Sequence, residues 1–448
     1  MTKTQGTAGA AGSASTQGTV SAAGSASTRG ATQGTKSAKP KAARASAQSR
    51  PATAPVLSTR ALNRATLDRQ LLLRRSAGLS VEGAVTHLLG LQAQNVKPPY
   101  YALAARLEGF DPEDLSGLLA SRDLVRIVTM RSTIHLHTAD DALTLRPLVQ
   151  AARDRELHAF RKGLVGVDLG ELASIARAAV EEEPRTMQQL REILLPRWPD
   201  ADPQSLAVAA RCSLPLVQVT PRGLWRRSGQ VALTTAEHWT GRPSELVPAP
   251  DATVLRYLAA FGPASVKDMQ IWAGLTRLKE AFERLRPQLR TFRDESGVEL
   301  FDLPDAPRPD ADTPAPARLL PEFDNLLLSH ADRSRVVPPE YKGRTWKGNF
   351  SYNTFLVDGF LAGVWRVEES KSTGKGTGTG KGAGKGSGKS AGEAKGLAVL
   401  TIEPFGTLTK AQRHELTDEA ARLLSGPMSG PMSGSSAYDI RFGTVIER

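Results

Sequence analysis

Gln92 and Gln94 stand one residue apart in Leu91-Gln92-Ala93-Gln94-Asn95-Val96-Lys97-Pro98-Pro99. Each carboxamide offers one acceptor oxygen and two donor hydrogens, and carries no charge. In an extended segment residues i and i+2 point the same way, so the two side chains would meet at one place and could hold a water or a base edge there. Pro98 and Pro99 favour that extended conformation and stop a helix ending at Gly90 from running on. The ordinary use of glutamine at such a place is to cap carbonyls or face water, so the rest of the chain has to argue for chemistry.

A second set of candidates is basic. Arg131, the cluster Arg222, Arg226 and Arg227, and the pair Arg333 and Arg335 sit in turns, where cationic side chains of DNA-binding hairpins meet the phosphate backbone. His135 and His137 alternate, so on a strand they share a face. A third ligand at metal spacing is missing nearby, so a hydrogen-bonded pair that could touch nucleic acid is expected, with no metal and no other cofactor. Gly388-Lys389-Ser390 ends like a phosphate loop, but the first glycine of that motif falls at Ala383 and no strand-to-helix context surrounds it, so it reads as chance within a repeat.

The elements that must position these residues follow from periodicity and caps. Helices are expected over 63–73, 80–89, 101–107 and from Asp111-Pro112 onward, the last with Asp as N-cap and Pro as first helical residue. Leu124 to Met130 and Thr133 to His137 are β-rich runs flanking Arg131-Ser132, a hairpin. Asp140-Asp141 opens the next helix, favoured there by the helix dipole. Helices followed by a hairpin describe a winged helix. The pattern recurs with helices over 170–182, 186–194 and 202–212 and a hairpin from 216–219 and 230–233. It recurs again with helices over 253–261, 265–273 and 277–285 and a hairpin from 289–293 and 298–303.

The expected fold is α+β. It has three tandem winged helices at 56–138, 139–245 and 246–304, a Pro/Asp/Ala-rich linker at 305–317, and a small β-rich, barrel-like domain at 318–448. Residues 1–55 are a low-complexity tail too poor in apolar surface to fold. A Gly/Lys insert at 370–396 forms a long surface loop.

Charge and composition narrow the function. Seven cations and no acid lie in residues 1–54, and residues 370–396 hold six lysines against Glu393; together these account for the whole formal charge of +12. The folded body is therefore near neutral, and nucleic-acid binding there depends on local patches. Cys212 is the single cysteine. A disulfide framework is excluded, and a reducing, cytoplasmic setting is expected. No apolar run approaches about 18 residues, which excludes a membrane-spanning helix.

Three stretches carry a resemblance: Leu91-Gln92-Ala93-Gln94, Met130-Arg131-Ser132-Thr133-Ile134-His135-Leu136, and Leu320-Pro321-Glu322-Phe323-Asp324-Asn325 through Arg333-Ser334-Arg335. With the winged-helix pattern they resemble the bacterial winged-helix DNA glycosylases that repair alkylated guanines and unhook interstrand crosslinks. Gln92 and Gln94 match the Gln-x-Gln signature of the branch tied to azinomycin self-resistance; the other branch carries Gln-x-Asp. The resemblance implies catalysis by Gln92 and Gln94 on double-stranded DNA with alkylated purines, by a monomer associated with the nucleoid. The competing expectations are a winged-helix transcription regulator, against which stands the lack of an evident effector or dimerisation segment, and a damage-binding protein without catalysis.

Overall fold

The computed structural model describes residues 54–245, 250–348, 350–369, 397–425 and 437–444. The expected basic tail up to residue 53 and the Gly/Lys insert at 370–396 lie outside these.

The chain enters through β1 (Val56–Leu57), α1 (Thr59–Arg69), α2 (Val81–His87), β2 (Leu91–Gln92), α3 (Pro98–Ala104), α4 (Pro112–Ser121), β3 (Leu124–Val128) and β4 (Ile134–Thr138). Local chemistry sets the helix starts. Ser58, Ser80 and Asp111 each accept a backbone N–H from the first turn through their side chains. One expectation is corrected here: Pro98 and Pro99 do not precede a helix at Tyr101 but are the first two residues of α3. A first-turn proline forfeits no intrahelical bond, so the ring that would break a helix interior starts one at no cost.

Next come α5 (Ala139–Leu148), α6 (Gln150–Ala159), α7 (Leu169–Glu182), α8 (Met187–Leu194), α9 (Pro203–Ser213), β5 (Leu216–Gln218), β6 (Leu233–Thr235) and α10 (Ala236–Thr240). Thr138 caps α5 and Asp140 and Asp141 occupy its first turn, as expected of that site. The third stretch is α11 (Pro250–Phe261), α12 (Val266–Ala273), α13 (Lys279–Leu285), β7 (Arg290–Asp294) and β8 (Glu299–Asp302). Ser265 and Asp268 form a capping box on α12, and Gly274 ends it in the left-handed conformation.

The three expected hairpins form, but two of them share a sheet. Among the described residues β2-β4-β3-β5-β6 is one five-stranded sheet, because β3 pairs with β5 through Arg126↔Gln218 and Ile127↔Val217. Pairing edge to edge covers the unpaired amides that each hairpin would otherwise expose. β7 and β8 form the third hairpin, and β1 joins it in parallel through Val56↔Arg293.

The last stretch holds β9 (Arg318–Leu320), β10 (Trp346–Lys347), β11 (Phe350–Ser351), β12 (Asn353–Val357), β13 (Phe360–Glu369), β14 (Leu397–Pro404), α14 (Lys410–Ser425) and β15 (Ala437–Phe442). The expected barrel is not closed. The sheet is open, ordered β15-β14-β13-β12-β9, with no pairing among the described residues between β15 and β9. The physical reason is α14. It crosses from β14 to the parallel β15 and lays Leu416 and Leu423 into the core that holds Trp365, Leu400 and Ile402. A helix covers the sheet face that a barrel would cover by curling.

That core also contains Val85, Leu103 and Leu136, so the first helices and the last sheet bury one another. A second core, around Tyr257, Phe261, Trp272 and Phe282, takes in Leu89 and Met130. Leu89 and Met130 lie just before Gly90 and Arg131, and they root both flanks of the glutamine segment.

The expected linker is clamped to α1. Arg60, Arg64 and Arg69 donate to the carbonyls of Ala311, Thr313 and Pro307 at 2.8, 2.6 and 3.0 Å. Arg69 also pairs through both nitrogens with Asp302, at 2.6 and 3.0 Å, and both side chains are almost wholly buried. Among the described residues no helix is long and apolar enough to cross a membrane. Asp302→Ala strands Arg69 without its counter-charge. It should lower stability by about 3–5 kcal/mol, read as a lower urea midpoint at unchanged slope. A loss under about 1 kcal/mol, typical of an exposed pair, would show that Arg69 reaches water instead.

Candidate functional site

Gly90 begins the site. Its φ is +89°, and a Cβ there would lie 2.3 Å from the His137 ring and 2.7 Å from the Leu136 carbonyl, so only glycine fits. The chain leaves it as β2, paired with β4 through Leu91↔Leu136 and Gln92↔His135. The Ala93 amide continues the ladder to the Ile134 carbonyl at 2.8 Å.

Both carboxamides turn toward the Arg131–Ile134 segment. Gln92 is buried, and its Oε1 accepts from an Arg131 guanidinium nitrogen at 2.9 Å. Gln94 is exposed, and its Oε1 accepts from the Ile134 backbone N–H at 3.3 Å. Both partners can only donate, so the amide orientations are fixed by chemistry: each oxygen faces inward. Neither Nε2 has an acceptor among the described residues, so the unclaimed groups are two N–H₂ donors, and each oxygen keeps a second lone pair. The expected extended geometry holds only as far as Gln92, where β2 ends. The pair still converges, because both side chains reach one turn.

That turn is unusual. Arg131 and Ser132 adopt φ of 53° and 58°, a conformation that costs a non-glycine residue about 1–3 kcal/mol. Tertiary contacts hold it. Arg131 donates to the Trp272 carbonyl at 2.6 Å, and the C-terminal Gly274 of α12 packs on its backbone, where a Cβ would stand 3.1 Å away. Burial pushes the Arg131 guanidinium down to about 10, with the like charge of Arg333 adding to the effect, so it remains cationic at neutral pH.

His135 and His137, expected among the DNA contacts, are both buried. His135 Nδ1 donates to the Thr133 carbonyl at 3.0 Å, leaving Nε2 as a lone pair toward Arg131 at 3.3 Å. Burial, with Arg131 and His137 beside it, holds its pKa well below the usual value. His137 meets the Thr129 hydroxyl through Nε2 at 2.9 Å, and burial lowers it to about 4. Both rings are neutral struts behind the site.

The remaining basic candidates divide. Arg335, also expected among the DNA contacts, is buried and donates to the Pro263 carbonyl at 2.9 Å and the Thr66 hydroxyl at 3.2 Å. Arg333 is exposed, on a cavity of about 520 Å³ lined also by Phe323 and Trp346. Arg226 and Arg227 are exposed. Arg222 is half-buried and donates to the Gly229 carbonyl at 3.2 Å. The turn that carries these three packs on α3 and α4: the Tyr100 hydroxyl donates to the Gly223 carbonyl at 2.7 Å, and the Trp225 amide donates to Ser116 Oγ at 2.8 Å.

Two supports escaped the sequence. Arg126 sits in mid-strand and donates to the carbonyl of Ala93, between the glutamines, at 2.7 Å. An arginine inside Leu-Val-Arg-Ile-Val is the signal that could have found it. Asn325 donates to the Gly90 carbonyl at 2.7 Å, while Asn95 bonds Glu322. Arg106 holds the neighbouring Asp324 through both nitrogens at 2.8 and 2.7 Å, both side chains fully buried. All three sequence stretches singled out above thus meet at the glutamines.

The described residues combine helices and open sheets in a mixed fold, with two carboxamides fixed at one turn. Residues 85–425 match the family model described as DNA glycosylase AlkZ-like, and the chain belongs to that family of enzymes acting on N-glycosyl bonds. It is similar to a Streptomyces sahachiroi protein named interstrand DNA cross-link repair glycosylase, 25% identical over 329 residues that cover 68% of this chain and 86% of that one. The structure of Streptomyces sahachiroi DNA glycosylase AlkZ superposes with a TM-score of 0.64 at 20% identity, over 87% of this chain and 100% of that one, a likeness of fold.

The histidines make a pH prediction. Their folded-state pKa values lie below the unfolded value of about 6.5, so the unfolded chain takes up protons that the folded chain refuses. The stabilisation is complete above about pH 6.5 and is lost as pH falls toward the folded value of about 4 given for His137, at up to about 1.4 kcal/mol per pH unit for each ring. In urea unfolding between pH 7.5 and 4.5, His137→Gln should show a shallower fall than the parent. Equal slopes would mean that His137 is not what couples stability to protons.

Proposed function

We propose that this chain is a monofunctional DNA glycosylase that hydrolyses N7-alkylguanine from double-stranded DNA, interstrand crosslinks included, working as a single chain. The reading of residues 56–138, 139–245 and 246–304 as three winged helices around the duplex is part of this proposal. The observation that carries it is the fixed orientation of the two carboxamides, held by Arg131 and the Ile134 amide. The relative named for crosslink repair supports the wider substrate.

The chemistry suits an uncharged pair. An N7-alkylguanine is cationic and a good leaving group. When its C1′–N9 bond breaks, the electron pair passes to N9 and neutralises the base. Water adds to the oxocarbenium carbon and sheds its proton to solvent. A strong general acid is unnecessary; what remains is to place the water and to meet the changing charge with fixed dipoles. The free lone pairs on Gln92 and Gln94 can accept from that water, and their N–H₂ groups can donate to acceptors on the departing purine. Glycoside hydrolases facing neutral leaving groups use a carboxylate pair instead, so ordinary bases should be poor substrates. Arg226, Arg227 and Arg333, exposed around the centre, would supply phosphate contacts.

Single-turnover base release from an N7-methylguanine duplex, with a crosslinked duplex alongside, tests the assignment. Gln92→Ala and Gln94→Ala should each slow release by about 10²–10³, the typical cost of one preorganised dipole, at nearly unchanged DNA affinity. Gln94→Asp keeps an acceptor oxygen and should retain part of the rate. Alanine variants that stay folded at the parent rate would make the glutamines structural, and tight binding of one sequence without base release would favour a regulator.

The rate profile should also be flat between about pH 6 and 9. Arg131, at about 10, stays charged across that range, and His137, at about 4, stays neutral. An inflection inside the range would place an ionising group in the chemistry.

A further inference from the structure

A cavity of about 700 Å³ opens where the loop after α1, the C-terminal end of α3, the start of β9 and α14 meet. Arg74, Arg75, Arg318 and Arg422 wall it, over an apolar floor that includes Phe110. Two acids oppose these four cations. Buried Glu419 takes Arg75 through both oxygens at 2.6 and 2.7 Å and Arg422 at 3.0 Å. Glu108 is exposed at the rim.

Helix capping explains part of the cluster. Arg75 and Arg422 donate to the Ala104 carbonyl at 3.2 and 3.1 Å, a group left open by the end of α3. It does not explain Arg318. That side chain is 6% exposed, reaches only the Ala317 and Leu73 carbonyls at 3.1 and 3.4 Å, and leaves its Nε without any partner. Burial and the neighbouring Arg75 lower its pKa to about 10, so it is cationic at neutral pH in a surrounding that opposes its charge. Nor does capping explain Arg74, which is exposed and has no hydrogen-bond or ion-pair partner among the described residues.

We propose that this cavity is a phosphate-binding site, separate from the Gln92–Gln94 centre, in which Arg318 and Arg74 are the principal donors and Arg75 and Arg422 complete the positive wall. Guanidinium groups present paired N–H donors that match phosphate oxygens, and a partly desolvated concave wall strengthens each bond. A tetrahedral anion against the cavity faces of Arg318 and Arg74 would offset the excess of two positive charges. The site lies at the far end of α3 from Gln94: seven residues at 1.5 Å each separate the ends by about 10 Å. Two sources carry this chemistry, a backbone phosphate of a nucleic-acid strand and a free phosphorylated small molecule.

Isothermal titration of the full chain with inorganic pyrophosphate tests the proposal, with the thermal midpoint as a second readout. The parent should bind saturably and gain thermal stability. Arg74→Ala, at the surface and remote from the core, and Arg318→Met should each weaken binding roughly tenfold or more, the loss expected for a charge-assisted hydrogen bond. Repeating the titration with a short undamaged duplex present separates the sources. A duplex that displaces pyrophosphate identifies a strand phosphate, and indifference to the duplex identifies a free ligand. No saturable binding by the parent, or equal binding by parent and a folded Arg74→Ala, overturns the proposal.

Discussion

Arg131 reaches out of a left-handed turn with one nitrogen on the Trp272 carbonyl and another on Gln92 Oε1. The carboxamide centre depends on this contact. A guanidinium only donates, so it permits one orientation of the Gln92 amide and no other. It also couples distant parts of the chain, since Trp272 lies near the end of α12 and Gln92 lies on β2. Any shift of α12 against the first sheet would move the guanidinium and release the amide. The turn is tolerable only because Gly274 leaves room for the Arg131 backbone and Met130 is rooted in the α11–α12 core.

Around that contact the protein uses buried arginines as cross-links. Arg126 holds the Ala93 carbonyl, Arg106 holds Asp324, Arg69 holds Asp302 and Arg335 holds the Pro263 carbonyl. Each buried charge has a desolvation cost that its partners must offset, and removing one partner costs more than the pair contributes. The result is a set of contacts intolerant of misplacement, which would suit the catalysis by position proposed for the glutamines.

The absence of a carboxylate among the groups bound to Gln92 and Gln94 bears on substrate choice. In the proposed reaction a cationic lesion supplies its own activation, so uncharged, rigidly held carboxamides would suffice for its loss while giving little help to an intact base. The neutral histidines of β4 are buried behind the glutamines. They fill the sheet next to the glutamines without adding a second positive charge to that of Arg131.

The sequence alone determined the local parts. Caps at Ser80, Asp111, Thr186, Asp202 and Ser265 mark helix starts that the structure keeps, while the first helix, expected over 63–73, begins at Thr59 behind a Ser58 cap; the β-rich runs around Arg131 and around 294–297 became hairpins, because capping and strand periodicity are short-range properties. The spacing of Gln92 and Gln94, with the two motifs that accompany them, pointed to the family. Tertiary structure decided the rest. Sequence could not show that two hairpins would merge through β3 and β5, that α14 would cover the last sheet and leave it open, or that β1 would pair with β7. Those outcomes depend on which edges and faces meet across hundreds of residues. Nor could it sort the cations: Arg335, His135 and His137 look in sequence like Arg333 and Arg227, and only packing buries the first three and leaves the others at the surface. The orientation of the amides is the clearest case, because a glutamine side chain is the same in either flip until a donor 39 or 40 residues away selects one.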